Sequence, residues 1–136
     1  MAKAVPSLLF AYGTLQVESI MTEVIGRPLS TGQPAVLSGY RCRRVRNAAY
    51  PAVVRDPSER TAGILYQGVD AEALIRLDDY EGAIYQRLLL EVVTDDGKQH
   101  TAWVYCLVDH SHGLLSNTPW NLERFIAEDL PDYRLD

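Results

Sequence analysis

The sequence predicts an α+β fold, mixed and mostly antiparallel, in which strands dominate and two or three helices decorate them. Three observations carry that expectation. Turn-forming glycines and prolines recur at short, even spacing from Gly13 to Pro131, as expected for short strands joined by turns. An Asp96-Gly97 step lies between two β-rich runs, a hairpin signal because glycine tolerates positive φ. Sustained helical spacing is confined to a few short segments. With 136 residues, the length is that of one ordinary domain, so 1–136 is read as a single unit.

Taken in order, 7–12 is an apolar run ending at Gly13 and reads as a buried strand. In 16–25, Ile20, Met21, Val24 and Ile25 recur at helical spacing, and Gly26 follows. Segments 35–46 and 52–55 read as strands, the second entered through Tyr50-Pro51, and 61–69 reads as a third. Tyr85–Thr94, a turn over 95–98 and a strand over 99–108 make the hairpin. The polar stretch 109–118 reads as a loop. Pro119 suits the first turn of a last helix bearing Trp120, Leu122, Phe125 and Ile126, with Asn117 and Thr118 as capping residues.

The best-defined helix is 70–80. Asp70 can cap its start and Gly82 can take a left-handed conformation at its end. At about 100° per residue, Leu77, Ala73 and Tyr80 fall on one side of Leu74, and Glu72, Arg76 and Asp79 fall opposite. Glu81, on the same rotation, lands about 20° from Leu74, inside the apolar stripe. A carboxylate facing a core is paired, protonated or functional, because burying an unpaired charge is costly. Burial would raise its pKa toward the range useful for acid/base work. Spacing alone leaves a second arrangement open, in which the helix frays at Glu81 and the side chain turns to solvent or pairs with Arg87. Asp78, at the edge of the stripe, reads as solvated or as a local cap.

The chain is 47% hydrophobic and 23% charged, close to globular averages, which excludes a disordered or fibrous class. A net charge of −5 and a pI near 5.1 count against nucleic acid as a partner. No stretch approaches the roughly 20 apolar residues of a membrane span, and no cleavage-site pattern follows the first apolar run. The expected compartment is therefore the cytoplasm, with no membrane partner. Two cysteines, Cys42 and Cys106, are too few for a disulfide scaffold.

Phe10-Ala11-Tyr12-Gly13-Thr14-Leu15 and the later stretch from Leu77 to Arg87, with its Asp-x-Tyr-Glu-Gly-x-x-Tyr-x-Arg order, together resemble the gamma-glutamylcyclotransferase-like family. That family includes avirulence-induced-gene-like proteins and gamma-glutamylamine cyclotransferases. Tyr50-Pro51-Ala52-Val53-Val54, the strand containing Gly63 and Ala102-Trp103-Val104-Tyr105 fit in the same order, so the resemblance covers essentially the whole chain. It implies a small, mixed, mostly antiparallel β-barrel with flanking helices and a pocket at one mouth. It implies a glutamyl-binding loop at Tyr12, Gly13, Thr14 and Leu15, with Gln16 next, and a catalytic carboxylate at Glu81. Thr14 stands where many members have serine and keeps the hydroxyl.

The implied reaction is attack of a gamma-glutamyl α-amine on its own γ-carbonyl, giving 5-oxoproline and a free amine. The nucleophile belongs to the substrate, so neither cofactor nor metal is implied, and the partner is a small gamma-glutamyl compound. Glycine after a strand allows close backbone approach, and exposed N–H groups can hold a carboxylate or an oxyanion. Without the family match, Gly13 reads first as a plain turn. Tyr85 and Tyr105 are further candidate contacts, although tyrosines on paired strands commonly serve packing. The other reading of the same barrel is a non-catalytic small-molecule-binding or regulatory module. The oligomeric state is left open.

Other signals point to less. His110 and His112 in a polar loop lack the further ligands a metal needs. Arg41, Arg43, Arg44 and Arg46 divide between two strand faces and read as solvated or paired, with one arginine able to steer an anionic substrate.

Overall fold

The computed structural model describes residues 7–29 and 32–133. Strands β1 (Leu9–Ala11), β2 (Gln33–Arg44), β3 (Pro51–Tyr66), β4 (Tyr85–Thr94) and β5 (Gln99–Leu107) close into a barrel in the order β1-β3-β2-β4-β5. All neighbours are antiparallel except the closing pair, where β1 runs parallel to β5 at Leu9 and Trp103. Helices α1 (Glu18–Ile25) and α2 (Ala71–Glu81) flank the barrel. A short helical stretch, Leu122–Arg124, widens into a π turn at Phe125–Asp129 and follows the strands. Among the described residues no helix is long and apolar enough to cross a membrane.

β1 explains its own composition. Phe10 packs inside the barrel with Leu37, Val53, Val92 and Val104, one residue from each of the other strands. Its neighbours Leu9 and Ala11 pack outward against Met21, Leu74, Leu77 and Phe125. A strand covered on both faces is apolar throughout rather than alternating. Burying each large side chain contributes roughly 1.5–3 kcal/mol.

Several expected boundaries change. The two strands expected at 52–55 and 61–69 are one 16-residue strand, β3, ending at Tyr66. Pro57, in the gap between them, belongs to a bulge: register jumps from Ser38 opposite Arg60 to Tyr40 opposite Arg55. Gly39 takes φ 84° there, and Asp56 accepts from both the amide and hydroxyl of Ser58. Bulges are where strands tolerate proline. The first helix starts at Glu18, because Thr14–Gln16 winds a separate 3-10 turn.

The last helix also starts later than expected. Asn121, rather than Asn117 or Thr118, caps it by accepting from the Arg124 amide. The Thr118 carbonyl is occupied with the Arg44 amide instead. Within the expected loop 109–118, Asp109–Leu114 forms a 3-10 turn and Leu115 bridges to Val45. Of the arginine run, Arg41 pairs with Asp56, Arg43 with Glu59, and Arg44 donates to the Ala48 carbonyl.

Candidate active site

Helix α2 delivers Glu81. Asp70 caps its start, accepting from the Ala73 amide at 2.9 Å, and Ala73, Leu74 and Leu77 are buried against the barrel. The helix does not fray: Glu81 is its last residue, and the Gly82 amide closes on the Asp78 carbonyl. Gly82 has positive φ (83°) as expected, though with an extended ψ of −169° rather than left-handed helical geometry. Glu81 is half-buried and lines a hollow of about 330 Å³, counting its mouth.

One wall of that hollow is the segment Tyr12, Gly13, Thr14 and Leu15; Tyr85 and Tyr105 line it too, with Tyr50 and Pro51 beside them. Topology explains the convergence. β1 and β5 end at this mouth while β3 and β4 begin there, since each of the first two is antiparallel to one of the second. The structure thus brings Tyr12, Gly13, Thr14, Leu15, Tyr85 and Tyr105 together around Glu81. Gln16 does not line the hollow; its amide donates to the Gly13 carbonyl at 3.2 Å, and it borders a wider neighbouring cleft. The Tyr50-Pro51 wall was visible in the sequence as a strand entry and as part of the family resemblance, not as a site contact.

The carboxyl of Glu81 has no hydrogen-bond or ion-pair partner among the described residues. Burial, and then the nearby Asp78 carboxylate, push it up to about 8. Arg87 pairs not with Glu81 but with Asp78, its Nε 2.9 Å and its Nη2 3.2 Å from the two Asp78 oxygens. The Tyr105 hydroxyl also donates to Asp78, at 2.6 Å. Against the upward push of partial burial, these hydrogen bonds hold Asp78 below the usual carboxylate range. Arg87 in turn stacks on the Trp103 ring, 4.1 Å from its centre. Asp78 is therefore exposed to solvent, as expected, but anchored as a charge by its pairing and not serving as a cap.

The tyrosines brace the walls. Tyr12 donates to the Tyr105 carbonyl and Tyr85 to the Pro51 carbonyl. Burial raises the pKa of all three, so they stay neutral near pH 7. The Thr14 hydroxyl is taken up by Tyr80 at 2.7 Å, and Tyr80 continues to Tyr133 at 2.9 Å. That chain fastens the loop to α2. The N–H groups of Gly13, Thr14 and Leu15, at the open start of the 3-10 turn, have no protein acceptor among the described residues. Proximity favours glycine at 13: a Cβ there would lie 3.0 Å from Cγ of Pro51.

The hollow and the helix that ends in it fall inside residues 9–122, which match the family model described as gamma-glutamyl cyclotransferase, AIG2-like. The chain belongs to this family. Protein AIG2 C of Arabidopsis thaliana is 31% identical over 91 residues, 67% of this chain and 54% of that protein. AIG2-like protein A of the same plant is 27% identical over 94 residues, 69% and 56% of the two lengths. The chain thus spans about half the length of the curated relatives it matches.

A solution structure of another Arabidopsis thaliana protein superposes with a TM-score of 0.74 at 24% identity, covering 93% of this chain and 76% of that one. An AIG2-like protein from Mus musculus gives 0.66 at 19%, covering 96% and 95%. A structure titled gamma-glutamyl cyclotransferase gives 0.63 at 17%, covering 74% and 66%. These likenesses show the fold. The small, mixed, mostly antiparallel barrel with flanking helices is the architecture of the family.

Proposed function

We propose that this family member is a cyclotransferase that converts a gamma-glutamyl amine, amino acid or peptide into 5-oxoproline and the free amine. The observation that carries the reading is the Glu81 carboxyl, unpartnered and half-buried in a small hollow whose lining includes three residues with backbone N–H groups free of protein acceptors. The glutamyl group enters the hollow, with an oxygen of its γ-carbonyl near those donors. Glu81 takes a proton from the α-ammonium, and the amine attacks the γ-carbon. Charge developing on the carbonyl oxygen is held by backbone donors. Glu81 then returns that proton to the departing nitrogen as its C–N bond breaks, and the ring nitrogen gives up its second proton to the freed amine, which leaves as an ammonium beside neutral lactam.

Each part fits its task. Holding amine and carbonyl in attacking geometry supplies roughly 7–11 kcal/mol in favourable intramolecular cases. A carboxyl pushed up to about 8 both accepts and gives a proton near neutral pH, the condition for efficient acid/base transfer. Tyr85 and Tyr105 shape the hollow, and their carbonyl-directed or Asp78-directed hydroxyls keep its walls fixed.

The test is incubation of the protein with a panel of gamma-glutamyl compounds, with ring-closed product read by mass spectrometry. Wild type should release 5-oxoproline from at least one. Glu81→Gln should lower kcat by at least about 10²-fold while keeping the wild-type unfolding midpoint or a higher one. Full activity in that variant overturns the role of Glu81. Ligand-induced stabilisation without product across the panel would favour a binding module instead.

A further inference from the structure

The hollow at Glu81 is narrow, about 330 Å³ even counting its open mouth, so at most the glutamyl group can enter it. Whatever the γ-carbonyl is attached to must lie outside. Two wider hollows share walls with it. One, across Tyr85 and Tyr105, presents Asp78 and Arg87, but those two are already bound to each other, and Asp78 to Tyr105. Its charges are satisfied.

The other, about 820 Å³ of open cleft, lies across Tyr12. Gln16, next in sequence to the Tyr12–Leu15 wall, borders it, and Trp120 forms part of its side. Trp120 is fixed there by its indole N–H, which donates to the Ala49 carbonyl at 2.8 Å. Two arginines face the cleft. Arg43 is neutralised by Glu59, its Nη2 lying 3.1 and 2.9 Å from the two carboxylate oxygens. Arg60 is exposed, and its side chain has no hydrogen-bond or ion-pair partner among the described residues. In a chain of net charge −5, the cleft that adjoins the hollow therefore carries one surplus positive charge.

The geometry points to this cleft as the seat of the leaving group, with Arg60 selecting gamma-glutamyl compounds whose amine portion bears a carboxylate: amino acids and peptides in preference to simple amines. The inference rests on the cyclotransferase reading for what occupies the hollow. A carboxylate beside an arginine gains charge-assisted hydrogen bonds in a fork geometry that suits it. An uncharged group at the same place gains neither, and a cation is repelled.

The experiment uses the full chain carrying Glu81→Gln, so that ligands bind without turning over, and measures binding of gamma-glutamylalanine and of its C-terminal amide by calorimetry. The two differ only in the carboxylate. The acid should bind about five- to tenfold more tightly, and the ratio should shrink as salt is raised. Adding Arg60→Gln should bring the ratio close to one, and Arg60→Lys should restore part of it. Thermal unfolding checks that the surface substitution leaves the barrel intact. Equal binding of the two ligands, no binding of either, or a preference that survives Arg60→Gln overturns the inference. A preference that depends on Arg60, in a protein whose Glu81 form releases no 5-oxoproline, keeps this cleft and removes the cyclisation reading. Release at equal KM from both compounds does the reverse.

Discussion

Glu81 and Asp78 are one helical turn apart, and their surroundings drive them in opposite directions. Asp78 is held charged by Arg87 and Tyr105, against its partial burial. Glu81 is pushed up to about 8 by its own burial and by the charge held next to it. Different surroundings thus separate the pKa values of two neighbouring carboxyls. The other titratable groups facing Glu81 are Tyr12, Tyr80, Tyr85 and Tyr105, all raised by burial and therefore silent between pH 5 and 9. Asp78→Asn removes the like charge and frees Arg87, and both changes favour the ionised form of Glu81. Its titration, followed by carbon-13 NMR of the carboxyl, should move down by about half to one pH unit. Burial remains, so the midpoint stays above that of an ordinary glutamate. The acid limb of kcat/KM should move to lower pH with it. A midpoint unmoved by Asp78→Asn would remove Asp78 from the tuning of this site.

The loop from Tyr12 to Gln16 is held by two contacts of different kinds: the Thr14–Tyr80 hydrogen bond on one side and the close approach of Gly13 to Pro51 on the other. Gly13→Ala places a methyl group 3.0 and 3.1 Å from the Pro51 ring carbons, nearer than ordinary packing, and Pro51 is held in turn by Tyr85 at its carbonyl. Either the loop or the Pro51 ring must give by a few tenths of an ångström. Overpacking of this kind is destabilising by about 1–3 kcal/mol, and KM should rise as the free N–H groups move. Pro51→Ala in the same chain should relieve most of the penalty, measured as a double-mutant cycle in denaturant. An undiminished penalty in the Pro51→Ala background would place the strain elsewhere. Elements of this size were legible where periodicity or capping chemistry is local. The helix over Ala71–Glu81, its Asp70 cap and the hairpin at Asp96-Gly97 were all readable from neighbouring residues. The bulge in β3 was not, because Pro57 and Ser58 carry a turn signature and only the register against Gly39 turns it into a bulge. The 3-10 turn at Thr14–Gln16 was hidden for a related reason: one turn of helix has no period to detect.

At the scale of the molecule, the site exists because the barrel closes. β1 meets β5 through one registered pair, Leu9 with Trp103, and the Trp103 amide donates to the Leu8 carbonyl at 2.9 Å. These residues are more than ninety positions apart in a 136-residue chain, so no local pattern announces the seam. The strands were legible and the closure was not, except through family resemblance. The same holds for the site: the misplaced carboxylate was visible on the helical wheel, but its facing wall belongs to the other end of the chain. Phe10 lies at the junction. It is 1% exposed, packs with all four other strands, lines the hollow and faces the Tyr12 ring at 6.5 Å. Phe10→Ala should lower the unfolding free energy by about 3–5 kcal/mol, a large part of the roughly 5–15 kcal/mol typical of a whole domain. Because the ring joins the seam strand to the interior, the loss should appear as one cooperative transition at lower denaturant, with slope unchanged. It should also weaken ligand binding in the hollow at temperatures where the chain is still folded. A loss below about 1 kcal/mol, or a first transition confined to β1 with the remaining strands intact, would mean that the barrel interior does not depend on the closing strand, and that the wall facing Glu81 is held by its loop contacts alone.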